Sequence, residues 1–167
     1  MQRSQIWVFV KAVLFTVIVP GTVTVLIPYL LLRPHAEFDA GAFRFAGLAL
    51  MALGGAVYLH CVWNFAWVGR GTPAPIDPPK EVVVVGTYRF VRNPMYVGIC
   101  CLLAGEALLF QSWRLLAYAF VAWLLCHLFV VIYEEPHLRS KFGEPYEGYC
   151  RAVPRWIPRP TIRRGRR

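Results

Sequence analysis

Hydrophobic residues lie along this chain in long runs separated by short polar breaks. The first run covers residues 6–32 and the second covers residues 45–68. About 20 consecutive apolar residues suffice for a helix to cross the hydrocarbon core of a bilayer. Both runs therefore predict spanning helices. Pro20 and Gly21 predict a kink in the first helix, and the second carries three glycines that suit close helix packing: Gly47, Gly54 and Gly55.

Two further apolar runs occur in the C-terminal half, at residues 95–110 and 115–133. The run at residues 95–110 is short for a spanning helix, so we expect it to form a thin span, to be extended by flanking residues or to be tilted into the protein. The polar break at residues 111–114 is brief, which predicts an antiparallel helical hairpin. The fold class predicted is an all-α integral membrane protein with about four transmembrane helices and a C-terminal helical segment on the cytoplasmic face.

The connections between the runs divide the chain into four parts. An N-terminal transmembrane hairpin covers residues 1–68, and a loop rich in Pro and Gly covers residues 69–81, where neither helix nor central strand is expected. Residues 82–158 form the C-terminal unit, and residues 159–167 are a basic tail. The first apolar run is too long for the core of a signal peptide, so we expect it to be retained.

Composition and charge agree with a membrane protein. Of the 167 residues, 57% are hydrophobic, more than a soluble domain usually carries, and the formal net charge is +9. The basic residues flank apolar runs and do not form a patch on a polar domain. We therefore expect anionic lipid headgroups, and not nucleic acid, as charge partners. The five cysteines include no CxxC pair, so neither a disulfide framework nor a metal site is predicted.

The distribution of Lys and Arg predicts the orientation in the membrane. With the N-terminus inside, Arg33, Arg44 and Arg114 are the basic residues outside, and the other fifteen lie on the cytoplasmic side. Both termini are then cytoplasmic, and the membrane is expected to be a plasma or inner membrane. Residues 86–94 and everything after residue 133 meet at the same face, where a site could be built from both.

Charged and aromatic residues follow the fourth run. Glu134 and Glu135 lie at its end, ahead of a short helix that Gly143 would end, and carboxylates at this depth are costly unless they are solvated or paired. They could bind a cationic ligand, or they could reach water or pair with Arg89 and Arg92. Three aromatic residues at spacings of four and three predict one stripe, suited to packing, to an interface belt or to a cofactor: Phe142, Tyr146 and Tyr149.

Together these elements resemble the isoprenylcysteine carboxyl methyltransferase and phospholipid methyltransferase superfamily. The resemblance extends from Gly86 to Pro158, nearly half of the chain, and depends on the order and spacing of several short motifs. The matching residues are Gly86, Tyr88, Arg92, Pro94, Tyr96 and Gly98, then Glu134, Glu135 and Leu138, then Phe142, Gly143, Tyr146 and Tyr149, and finally Val153, Pro154, Arg155, Ile157 and Pro158.

The resemblance implies that residues 82–158 are a methyltransferase core that binds S-adenosylmethionine. An acid and a guanidinium suit the ammonium and carboxylate of that cofactor, and an apolar slot with aromatic faces suits its adenine. Glu135 and Arg92 are the catalytic candidates. The expected cofactor-binding residues are Tyr88, Arg92, Asn93, Pro94, Tyr96, Gly98, Glu134, Glu135, Leu138, Phe142, Tyr146 and Tyr149.

Asn93 departs from the resembled pattern, which often has histidine at this position. An amide keeps a donor and an acceptor but holds no proton charge, so a positioning role is expected. A base is not needed if the acceptor is a carboxylate or a thiolate, whereas an amine acceptor would favour Glu135 as base. The expected acceptor is lipid-like and enters from the bilayer, with an isoprenylcysteine carboxylate favoured.

Three ionisable residues lie inside the apolar runs: His60, Glu106 and His127. Such residues are functional candidates, and their alternative role is a hydrogen-bonded pair that fixes helix packing. A Glu106–His127 pair across the hairpin is the expected form of that alternative.

Two other function classes stay open. Tyr149 to Pro154 also matches an element of sterol-type membrane reductases, although those proteins are much longer. The second class is a non-enzymatic scaffold for other membrane proteins. Binding of S-adenosylmethionine, of a reduced nicotinamide or of neither distinguishes the three hypotheses.

Overall fold

A computed structural model describes residues 2–67 and 84–158 of the chain. Within these residues the secondary structure is helical, as predicted. The Pro/Gly-rich loop at 69–81 and the basic tail at 159–167 lie outside the described residues. The seven α-helices of the described part are α1 (Gln2–Gly21), α2 (Ile27–Leu31), α3 (Ala46–Trp67), α4 (Pro94–Leu109), α5 (Trp113–Phe129), α6 (Glu135–Phe142) and α7 (Glu144–Ala152).

Three helical stretches of the described part are long and apolar enough to cross a membrane: Val13–Leu31, Gly41–Asn64 and Trp113–Phe142. Helix α4 is also apolar but has 16 residues, about 24 Å at 1.5 Å per residue, as expected for the short third run. Many large apolar side chains on these helices are exposed in the isolated chain, such as Val17 at 66% and Phe120 at 62%. This outward apolar surface is the surface that lipid covers, and the chain is an integral membrane protein.

The first span continues through Pro20 without ending. A π-helical turn, Thr22–Leu26, follows α1 and leads directly into α2. The Thr24 hydroxyl donates to the Pro20 carbonyl at 2.8 Å, and the Tyr118 hydroxyl on α5 donates to the Val23 carbonyl at 2.8 Å. Side chains thus satisfy carbonyl groups at the irregular turn and join the first span to α5.

Helices α3 and α4 pack through glycines. A Cβ atom on Gly54 would lie 2.5 Å from the Gly98 carbonyl oxygen, and one on Gly105 would lie 2.7 Å from the Gly47 carbonyl oxygen. The two backbones are therefore in direct contact at two levels, as Gly47 and Gly54 predict. Gly55 is not part of this contact, because its nearest neighbour is the Leu102 side chain at 4.0 Å.

The α4–α5 hairpin turns at residues 110–112, where the polar break predicts it. Gln111 has a φ of 52°, in the left-handed region. The Gln111 carbonyl accepts from the Glu37 and Phe38 amides, and the Glu37 carboxylate accepts from Ser112 and from the Arg114 amide. These bonds join the loop after α2 to the hairpin.

The fourth span does not stop at residue 133. A π-helical turn, Val130–Glu134, joins α5 to α6, and the helix continues to Phe142. Gly143, with a φ of 58°, ends α6 and starts α7, as expected of this glycine. Residues 86–96, α6, α7 and residues 153–156 meet at one end of the helices, which we call the site end.

Candidate functional site

Glu135 lies at the centre of a group of charged side chains at the site end. It begins α6 and is buried, with 3% of its surface exposed. Arg155 donates to both of its oxygens, from Nε at 2.7 Å and from Nη2 at 3.0 Å. Arg92 Nη1 lies 3.1 Å from Oε1, and Arg139 Nη2 lies 3.7 Å from Oε2. Three guanidinium groups therefore surround one buried carboxylate.

Arg92 reaches this group from the segment between residue 84 and α4. Its backbone amide donates to the Pro154 carbonyl at 2.8 Å, which ties the segment to the C-terminal residues. Its Nη1 also donates to the Cys150 thiol on α7 at 2.7 Å. Its Nε is buried and has no hydrogen-bond partner. The sequence suggested Arg89 and Arg92 as partners for the two acids, and the structure shows Arg92 paired with Glu135.

Glu134 points toward a different neighbour from Glu135. Tyr96, on the first turn of α4, donates to Glu134 Oε2 at 3.1 Å. Consecutive helical residues differ by about 100° in direction, so one carboxylate faces α4 while the next faces Arg155. The two acids have separate partners, and Glu134 retains accepting capacity beyond the bond from Tyr96.

Asn93, Pro94 and Gly98 position α4. Asn93 is buried and donates from Nδ2 to the Arg155 carbonyl at 3.2 Å. Pro94 begins α4, where a missing amide proton is harmless. Gly98 is buried against α3, where a Cβ atom would lie 2.8 Å from the Gly54 carbonyl oxygen. Helix packing accounts for this glycine, and the cofactor contact expected of it stays a prediction.

Three tyrosines lie near the charged side chains of the site: Tyr88, Tyr146 and Tyr149. The Tyr149 hydroxyl donates to the Tyr88 carbonyl at 2.8 Å, and the rings of Tyr146 and Tyr149 have centroids 6.1 Å apart. Burial raises the pKa of all three phenols, so they stay neutral at physiological pH. They can therefore act as hydrogen-bonding and stacking groups but carry no charge.

The single stripe expected for Phe142, Tyr146 and Tyr149 is wrong. Gly143 separates α6 from α7, so Phe142 belongs to a different helix from the two tyrosines. The Phe142 ring is half-buried, with Lys141 Nζ 5.2 Å from its centroid. Leu138 is also half-buried, one helical turn after Glu134 on α6.

The expected Glu106–His127 pair is also wrong. His127 Nδ1 accepts from the Trp156 indole at 3.1 Å, and the His127 ring stacks on Trp123. Glu106 is buried, and its Oε2 has no hydrogen-bond partner. In an antiparallel hairpin that turns at residues 110–112, Glu106 lies level with the start of α5 and His127 lies near its end.

His60, the third ionisable residue, lies near the segment that carries Tyr88. Gly86 has a φ of 55°, and a Cβ atom there would lie 2.7 Å from His60 Nε2 and 2.5 Å from Asn64 Nδ2. Cys61 also contacts the Thr87 hydroxyl at 3.3 Å. Glycine at residue 86 therefore lets the segment approach the polar end of α3.

Three contributors to the site are not among the residues predicted from the sequence: Arg155, Cys150 and Trp156. Arg155 belongs to the matched motif at residues 153–158, which by itself assigns it no role. A signal existed, because a buried acid needs a cation and a motif that contains an arginine offers one. Nothing in the local pattern identifies Cys150 as a neighbour of Arg92 or Trp156 as a neighbour of His127.

The fold and the site together define the class, an all-helical integral membrane protein with a charged site where its helices end. The family model described as phospholipid methyltransferase matches residues 42–145 of the chain. This is more than half of its length, so the chain belongs to the phospholipid methyltransferase family. The finding confirms the superfamily that the sequence motifs indicated.

A curated relative supports the same superfamily. The protein-S-isoprenylcysteine O-methyltransferase of Schizosaccharomyces pombe (strain 972 / ATCC 24843) is 35% identical to this chain over 78 residues. The aligned part is 46% of this chain and 33% of the relative, so the similarity spans about a third of the relative's length.

Proposed function

We propose that this protein transfers a methyl group from S-adenosylmethionine to a lipid-like acceptor, with an isoprenylcysteine carboxylate as the favoured type. The observation that carries the proposal is the charged group at Glu135, which combines residues from three separate segments of the chain. Membership in the phospholipid methyltransferase family and the name of the yeast relative support the same chemistry.

The charges and unsatisfied hydrogen-bonding groups of the site fit the methionine end of S-adenosylmethionine. A carboxylate needs a donor, and Arg92 offers a buried Nε that has no partner. An ammonium needs an acceptor, and Glu134 offers oxygens that are bonded by Tyr96 alone among the contacts of the described residues. Glu135 suits this task less well, because Arg155 and Arg92 already contact it. We therefore assign Arg92 to the carboxylate and Glu134 to the ammonium.

The aromatic and apolar side chains fit the adenine. The rings of Tyr146 and Tyr149 are neighbours, Tyr146 being buried and Tyr149 half-buried, and we assign the half-buried Leu138 on α6 to the aliphatic side of the adenine slot. Their phenols stay neutral and can hydrogen-bond to a base without a charge penalty. Tyr88, through its carbonyl, holds the Tyr149 hydroxyl in place.

The chemistry requires positioning more than acid–base catalysis. Bound here, S-adenosylmethionine would supply a methyl group already activated by its sulfonium, and transfer to a carboxylate oxygen leaves a neutral thioether and an ester with no proton released. Glu135 and Arg92 would then contribute fixed charges that hold the bound cofactor in a fixed orientation. No general base is needed for a carboxylate acceptor.

An apolar cavity supports access from the bilayer. A cavity of about 250 Å³ lies against α4 and α5 and is lined by Val97, Cys100, Trp123 and Trp156, among others. Trp156 follows Arg155, which contacts Glu135. If the hydrocarbon chain of the acceptor lay in this cavity, the polar end attached to it would lie close to the charged side chains around Glu135.

Calorimetric titration of the detergent-purified protein with S-adenosylmethionine and with its demethylated product tests the proposal. We expect micromolar binding that is weakened strongly in Glu134→Gln and in Arg92→Ala. Reduced nicotinamide serves as the competing ligand and should not bind. Binding of the nicotinamide instead would favour a reductase, and absence of both from folded protein would favour a scaffold.

A further inference from the structure

The closest ion pair at Glu135 is made with Arg155 and not with Arg92. Arg155 contacts both carboxylate oxygens through two nitrogens, at 2.7 and 3.0 Å. Arg92 contacts one oxygen through Nη1 at 3.1 Å, and the same nitrogen donates to Cys150. A two-point guanidinium–carboxylate pair is the stronger and more directional arrangement.

Burial makes this pair important. The Glu135 side chain is 4% exposed, so its charge depends on protein partners, whereas Arg139 is 48% exposed and lies farther away. If Arg155 were removed, the buried Glu135 carboxylate would lose its main partner and would need a stronger contact from a remaining cation. Arg92 is the nearest remaining cation, and a two-point contact from Arg92 would occupy more of its nitrogens.

The Nε of Arg92 is the group affected by that rearrangement. It is buried without a hydrogen-bond partner, which is uncommon for a guanidinium N–H and calls for an explanation. A ligand anion would explain it.

We propose that Arg155 is a positioning residue. It holds Glu135 in a two-point ion pair, so that Arg92 contacts that carboxylate through one nitrogen and keeps Nε–H free for the carboxylate of the cofactor. The backbone supports this arrangement, because Asn93 donates to the Arg155 carbonyl and the Arg92 amide donates to the Pro154 carbonyl. The proposal rests on the proposed function.

The test is titration of the full chain in detergent with S-adenosylmethionine, using Arg155→Gln and Arg155→Lys. We expect Arg155→Gln to raise Kd by about tenfold or more, the effect of losing hydrogen bonds to a charged group. Lysine retains the charge but not the planar fork, so Arg155→Lys should bind with intermediate affinity. Arg151→Gln is the matched control, since its pair with Glu144 is exposed and its loss should leave Kd unchanged.

A double-mutant cycle with Glu135→Gln separates positioning from folding. If Arg155 acts through Glu135, Arg155→Gln should have no further effect on Kd in the Glu135→Gln background. Additive effects on Kd, or a lowered Tm with unchanged Kd, would overturn the proposal. If Arg155→Gln does not fold, Arg155→Lys decides, and wild-type affinity in that variant would overturn the proposal. Absence of binding by the wild-type protein would overturn the proposed function as well, which distinguishes the two failures.

Discussion

Asn93 is a buried amide whose hydrogen bond links the segment before α4 to the residue that pairs with Glu135. It is 8% exposed and donates to the carbonyl of Arg155, the residue that binds Glu135 on both oxygens. The amide of Asn93 stays neutral at physiological pH, so it cannot act as an acid or a base. The positioning role expected for this departure from the family pattern stays a prediction.

Asn93→Ala should lower the unfolding free energy by about 1–3 kcal/mol, because the Arg155 carbonyl would lose a buried donor. Asn93→His should lose less, since an imidazole N–H can donate to the same carbonyl. Thermal unfolding of the two variants in detergent checks the order. Equal Tm values for the wild type and Asn93→Ala would show that the bond contributes nothing.

Glu106 illustrates a buried acid that is remote from the site. It lies twelve residues after Pro94 on α4, about 18 Å along the helix axis, and its Oε2 is unpartnered. We predict that Glu106→Gln leaves the affinity for S-adenosylmethionine unchanged and does not lower Tm, because the amide is neutral and similar in shape. Calorimetry and thermal unfolding measure the two quantities. A large loss of affinity would connect this acid to ligand binding and contradict the prediction.

At the scale of elements, the α3–α4 contact depends on one of two adjacent glycines. Gly54→Ala places a methyl group 2.5 Å from the Gly98 carbonyl oxygen, whereas Gly55→Ala meets its first neighbour at 4.0 Å. Overpacking should cost Gly54→Ala about 1–3 kcal/mol. Gly55→Ala should be neutral or stabilising by up to about 1 kcal/mol through helix propensity. Unfolding in detergent compares the pair, and a similar Tm for both would argue against the packing described.

The bond between the loop after α2 and the α4–α5 hairpin predicts a pH dependence. The pKa of Glu37 is lowered from its ordinary value of 4.5, chiefly because the Arg114 amide donates to its carboxylate, with a further bond from Ser112. The folded state therefore favours ionised Glu37. The stabilising contribution of ionised Glu37 is fully present above the ordinary carboxyl pKa and is lost as the pH falls through the lowered pKa of Glu37 in the folded state.

Between pH ~6 and pH ~3, Glu37→Gln should therefore lose less of its Tm than the wild-type protein does, since it has no carboxylate to protonate at this position. Glu144→Gln is a suitable comparison, because Glu144 pairs with Arg151 at an exposed place on α7. Parallel acid curves for wild type and Glu37→Gln would exclude a role for this carboxylate in acid stability.

At the scale of the whole molecule, the charge distribution predicts the orientation in the membrane. If the N-terminus is cytoplasmic, as the sequence predicts, Arg33, Arg44 and Arg114 fall on the opposite side and the other fifteen basic residues fall on the cytoplasmic side. We predict that both termini and the site end face the cytoplasm. Reporter fusions at the C-terminus and in the loop that contains Glu37 would measure this. Cytoplasmic activity of the loop fusion would reverse the predicted orientation.

Some features of this fold follow from local sequence, whereas others depend on how the helices pack. Gly143 is expected to end the short helix and does so, yet the aromatic stripe across it is wrong because a φ of 58° redirects α7 away from the axis of α6. The adjacent Gly54 and Gly55 cannot be distinguished from the sequence, since the packed face depends on how α4 lies against α3. The Glu106–His127 pair fails for a similar reason, because the level of two residues across a hairpin depends on where it turns.

The sequence by itself determined the apolar helices, the turn at residues 110–112 and the end of α6 at Gly143, because hydropathy and backbone preference belong to each residue and its close neighbours. The order and spacing of its short motifs indicated the family. Only the tertiary structure decided which cation binds Glu135. Arg92 and Arg155 lie on opposite sides of it in the sequence, 43 and 20 residues away, and both are basic. The return of residues 153–156 against the segment before α4 gives Arg155 the two-point contact, since directional hydrogen bonds depend on positions in space that spacing along a chain does not specify.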